Sequence, residues 1–150
     1  KNEQMAQIKV NFELEIVEDG FPPISHETLN GILLPNGLVK IDNTPFFVED
    51  IAIGYVVECV TDGKSSNYHF LNLVEKSDHK ALSIIFIDGS IEEKIYQFLK
   101  KAGCYCEYGE FSGFNMLAVD IAGDVDSDCI YAFLDKFEKL EKLSYAELCL

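Results

Sequence analysis

The chain has 150 residues, 48% of them hydrophobic, and its 26 acids against 12 bases leave a net charge of −14 at pH 7. Eleven Phe and seven Tyr give enough apolar bulk for a packed interior, which excludes a disordered chain. The charge argues against nucleic acid and anionic lipid as partners. Every base is Lys, so the bidentate guanidinium that commonly grips phosphate is absent.

The first strand falls on IKVNFELEIV (8–17), where apolar and polar residues alternate. DGFPP follows as a turn. In SHETLNG, Ser25 begins an incomplete capping box, so a short helix is expected there at most. Asn36-Gly37 makes a hairpin between GILLP and LVKID, and Asp62-Gly63 makes a second between IAIGYVVECV and SNYHFLNLVEK. Between them, IDNTPFFVEDIAIG sets Phe46 and Phe47 behind Pro45. Two exposed Phe rings would form a sticky patch, so the segment reads as a structural corner. Extended geometry would send the rings to opposite faces, one into a barrel and the other over a seam.

The second half has sharper signals. ALSIIFID (81–88) is a buried strand. SIEEKIYQFLKKAG (90–103) is a helix with an S-x-x-E capping box at Ser90 and Glu93, and its apolar stripe is Ile91, Ile95, Phe98, Leu99 and Ala102. CYCEYGEF and NMLAVDIAG are strands joined by SGFN. GDVDSD opens a second helix, and SYAELCL closes the chain as a strand. The expected fold is α+β: an N-terminal small antiparallel half-barrel (1–79) packed on a C-terminal ferredoxin-like βαββαβ unit (80–150), the two sharing an interface.

NTPFF (43–47), IAIGYVVECV (51–60) and EKSDHKALSIIF (75–86) together resemble an uncharacterised bacterial family known only as a domain of unknown function. Its pattern runs N-x-P-F-F, then I-A-x-G-D-x-V, then S-G-H and an apolar strand, and the resemblance covers about Val10 to Tyr145. The chain departs from it at Tyr55, where an acid is usual, at Asp78, where Gly is usual, and at Ser83, near a position often basic. The resemblance implies the fold and supplies no activity; if those polar positions form a family site, this copy has lost part of it.

Candidate chemistry is sparse. Ser77-Asp78-His79 carries the letters of a hydrolase triad, but sequence neighbours do not converge as nucleophile, base and orienter, and no G-x-S-x-G elbow exists. His79 with Asp78 is retained as a polar candidate because the resemblance also falls there. Cys104 and Cys106 share one strand face, yet no second close pair completes a zinc set, so they read as small buried hydrophobes. Asp124, Asp126 and Asp128 match the opening of a calcium loop that lacks its glycine turn, having Cys129 there instead. No cofactor and no metal are expected. Five cysteines, an odd number, suit reduced thiols in a cytoplasmic protein, and no signal peptide or membrane-length apolar run is present.

These features lead to a binding protein ahead of an enzyme. The foremost expectation is an acidic protein of the immunity type that neutralises a basic partner such as a toxin nuclease. Its contacts would be Glu107, Glu110, Asp120, Asp124, Asp126 and Asp128 at one end of the second sheet. A small-ligand-sensing ferredoxin-like domain is the alternative, and an enzyme using His79 comes third.

Overall fold

The computed structural model describes residues 6–16, 20–63 and 67–150. Val17, Asp19, Lys64 and Ser65, which belong to an expected strand end, turn and hairpin, lie outside those residues.

Alternation in β1 (Gln7–Glu13) turns Val10 and Phe12 inward. Its antiparallel partner is β2 (His26–Leu33), in register from Gln7 opposite Ile32 to Glu13 opposite His26. This corrects the expectation of a short helix at Ser25. Glu27, Leu29 and Gly31 are buried while Thr28 and Asn30 are exposed, a two-residue period that a helix cannot use. Gly31 is required because a Cβ there would lie 2.5 Å from Val39 Cγ1 on the neighbouring strand of the barrel. The Asn36-Gly37 turn, with Gly37 at φ +89, leads to β3 (Val39–Ile41). Then come β4 (Val56–Thr61) and β5 (Asn67–Glu75), an antiparallel pair.

The expected half-barrel is in fact closed. Lys9, Val10 and Asn11 of β1 pair in parallel with Asn67, Tyr68 and His69 of β5, so the barrel is also not wholly antiparallel. Closure leaves neither end strand with an unpaired edge along that stretch.

The second layer follows the order strand, helix, two strands, helix, strand: β6 (Lys80–Phe86), α1 (Glu92–Lys101), β7 (Tyr105–Phe111), β8 (Phe114–Ile121), α2 (Ser127–Lys139) and β9 (Leu143–Cys149). The sheet order is β7-β8-β6-β9, with every neighbouring pair antiparallel. Both helices cover one face, where Ile95, Leu99, Ile130 and Leu134 pack on Leu82, Ile84, Leu117 and Val119. The expected Ser90–Glu93 box does not form. Asp88 accepts from the Ser90 backbone N–H and from its hydroxyl, and a 3-10 turn over Gly89–Ile91 precedes α1. α2 is capped by Asp126, which accepts from the Cys129 N–H.

The other sheet face meets the barrel. Ala81, Leu148 and Cys149 belong to the same apolar cluster as Val10, Leu29, Ile51 and Tyr55. The Asp50 N–H donates to the Leu148 carbonyl across this seam, and the Cys149 thiol donates to the Tyr55 hydroxyl. Phe46 and Phe47 do form a structural corner, in a bend and not in a strand. Their rings therefore do not split between opposite faces: each lies with its centroid 5.0 Å from that of Phe111 on β7. Both rings close the seam.

Candidate ligand cleft and polar pair

Where the barrel does not cover the second sheet, a cleft of about 970 Å³ remains. Its floor is made by Ser83 and Ile85 on β6, Met116 on β8, and Ser144 and Ala146 on β9, where the two serines and the alanine leave space. Its walls are aromatic, with Phe12 and Phe70 stacked at 4.9 Å on one side and Phe46, Phe47 and Phe21 on the other. Glu13, Glu15, Glu49 and Asp50, all exposed, stand around it, and no lysine lines it among the described residues.

Glu27 holds one wall in place. Only 7% exposed, its carboxylate accepts from three consecutive backbone N–H groups, those of Phe46 (2.6 Å), Phe47 (2.9 Å) and Val48 (2.9 Å). Burial pushes its pKa up, against the lowering effect of those three donors. At the floor, the Ser83 hydroxyl is buried and has no hydrogen-bond partner. Its cross-strand neighbours are Ala118 and Ala146, neither of which has a polar side chain to offer. A buried unpartnered hydroxyl beside a cleft can bond a ligand without first breaking a protein bond.

The sequence drew attention to neither feature fully. Ser83 stood out only as a departure from a family pattern. The short helix expected at Ser25 hides Glu27, whereas the strand places it in phase with Leu29 and Gly31, facing inward.

His79, in the link between barrel and sheet, lies against Asp120 of β8, with Nδ1 2.7 Å from Oδ1. Its Nε2 is 4.0 Å from the exposed Asp78 carboxylate. Burial raises the Asp120 pKa while the bond to His79 lowers it, and the net direction is up. Ser77 does not face His79 as a nucleophile. Its hydroxyl donates to the Ile53 carbonyl at 2.6 Å and accepts from the His79 backbone N–H at 3.1 Å. His79 and Asp78 border a shallower groove of about 500 Å³ together with Lys40 and Lys76, away from the aromatic cleft.

The six acids expected to form a docking end are dispersed. Asp120 is buried against His79. Glu107 is paired opposite Ala118 and Glu110 opposite Asn115, and three residues along a strand put their side chains on opposite sheet faces. Asp124, Asp126 and Asp128 are exposed around the start of α2, with Asp126 engaged as its cap. That helix begins at Ser127, inside the span a calcium loop would need. Among the described residues no group of three His, Cys, Asp or Glu side chains is arranged to hold a metal ion. Cys104 is buried and Cys106 half-buried, both packed with the helix-side core.

Fold and cleft together define an α+β protein, rich in strands, with a closed five-stranded barrel laid on a helix-backed sheet and a ligand-sized opening between them. The chain belongs to the family described as Domain of unknown function (DUF4265), whose model matches residues 27–145. It is also similar to a crystal structure of a hypothetical protein from Neisseria gonorrhoeae, with a TM-score of 0.73 and 20% identity, covering 100% of this chain and 98% of that one. That likeness shows a common fold. No curated protein matches the sequence. Among the described residues, no helix is long and apolar enough to cross a membrane.

Proposed function

We propose that the protein binds a small, mainly apolar ligand in the cleft between barrel and sheet. The observation that carries this reading is the cleft itself, whose volume of 970 Å³ and phenylalanine walls suit a small molecule. The strand order and the β-α-β-β-α-β connection also support a ferredoxin-like unit over 80–150, with the barrel half over 1–79 forming the opposite wall. The test uses the neutral dye N-phenyl-1-naphthylamine, whose fluorescence rises on leaving water. Saturable binding at one dye per chain is expected, together with its loss in Ala146→Phe, which fills the floor, at unchanged circular dichroism. No saturable binding, or equal binding by the filled variant, rejects the cleft.

An immunity-type role on a basic partner such as a toxin nuclease domain is the second reading. It is supported by the net charge of −14 and by the exposure of Glu110, Asp124, Asp126 and Asp128. Titration against a basic nuclease domain in low salt tests it; no complex at micromolar concentration counts against it.

A further inference from the structure

Resting on the cleft reading above, the arrangement of charge and hydrogen bonding around that cleft says what kind of molecule fits. We infer that the ligand is an amine with an apolar body: its cation sits at the carboxylates of the mouth, its chain or ring lies against the phenylalanines, and a polar group at its inner end bonds Ser83.

Three observations converge on this. Among the described residues, the acidic side chains that line the cleft are Glu13, Glu15, Glu49 and Asp50, and no lysine lines it. Carboxylates beside a low-dielectric wall attract a cation more strongly than they would in open solvent, and repel an anion by the same physics. Behind them, Phe12, Phe46, Phe47 and Phe70 offer apolar area, and their ring faces tolerate a passing cation far better than an aliphatic wall would. On the inner strand β6 of the floor, Ser83 is 5% exposed and its buried hydroxyl lacks a partner. A wholly apolar ligand would leave that hydroxyl unbonded; one carrying a hydroxyl, carbonyl or ether at its far end would satisfy it.

The test displaces the dye with octylamine, octan-1-ol and octanoate, three probes of one chain length that differ in head group. The amine should bind roughly ten-fold tighter than the alcohol, and the carboxylate most weakly, with the gap shrinking at high salt. The double variant Glu13→Gln/Glu49→Gln should close most of the amine–alcohol gap, chiefly by weakening the amine. A series of α,ω-amino alcohols from butyl to decyl, compared with the matching alkylamines, should show one length at which the extra hydroxyl gains several-fold, a gain that Ser83→Ala removes. Equal binding of the three octyl probes, with the dye still bound in the cleft, overturns the amine assignment alone. A hydroxyl gain that survives Ser83→Ala, or none at any length, overturns the inner contact. Failure of the dye to bind at all removes the cleft reading and this inference with it.

Discussion

Glu27 on β2 and Phe47 in the corner are joined by a 2.9 Å bond from the Phe47 N–H to the Glu27 Oε1, inside a cluster where one carboxylate serves three consecutive N–H groups. A bend has no strand partner to take its donors, and Glu27 takes that role from twenty residues away. Glu27→Ala leaves three N–H groups short of acceptors and should cost roughly 2–4 kcal/mol in urea unfolding. Burial raises the Glu27 pKa, so the fold holds that proton more tightly than the unfolded chain does. The resulting stability is fully present below the unfolded pKa and is lost as pH rises through the folded one. Glu27→Gln, which cannot titrate, should flatten the stability–pH curve over that window; an unchanged slope contradicts the assignment.

The His79–Asp120 pair ties the link between the two layers to the sheet. With one partner gone, the other is left in a site built for two, so each single alanine variant should lose about 1–3 kcal/mol. The double variant should lose less than the sum, with a coupling of about 0.5–3 kcal/mol across the 2.7 Å contact. Strict additivity in a double-mutant cycle would show that the contact contributes nothing of its own.

Thiol chemistry offers an independent check on burial. The pKa values of Cys104 and Cys59 are pushed up to about 11 and that of Cys106 to about 12, in each case chiefly by burial, which disfavours the thiolate. Cys129 is exposed at the start of α2, while Cys149 is buried and bonded to Tyr55. Iodoacetamide at mildly alkaline pH should therefore mark Cys129 first, with Cys104 and Cys106 alkylated only on unfolding, as read by peptide mass spectrometry. Early labelling of Cys104 would mean that α1 does not pack as described.

Much of the architecture is legible in the residues because each element carries its own period. The Ile91–Ile95–Leu99 stripe and the alternation in Val10 and Phe12 need no knowledge of the rest of the molecule. What the sequence hides is set by distant partners. Whether the barrel closes depends on β1 meeting β5 in parallel, Lys9 opposite Asn67, nearly sixty residues apart, and neither strand advertises that pairing. The cleft is hidden for the same reason: Ser83, Phe12 and Phe47 are ordinary core letters until tertiary packing leaves space between them. The acids show the same dependence on tertiary context. Closeness in sequence suggested one docking end, yet strand alternation separates Glu107 from Glu110 and burial withdraws Asp120.

Gly109 gives the sharpest test of the seam. Alanine normally stabilises a strand relative to glycine, since it leaves the unfolded chain less freedom. Here a Cβ would lie 2.7 Å from Phe46 Cζ and 2.9 Å from Phe111 Cε2, so two rings must move at once. Phe46 meets Phe111, and Phe111 also meets Phe47, so moving these rings disturbs the cleft wall. Gly109→Ala should therefore destabilise by about 1–3 kcal/mol, the usual cost of overpacking, in place of a small gain. Phe46→Leu introduced together with it shortens the ring that clashes most and should recover part of the loss, although Phe46→Leu alone weakens the fold. Such reversal between single and double variants, measured by urea unfolding, requires direct contact between the two positions; two independent losses that simply add would place Phe46 away from Gly109.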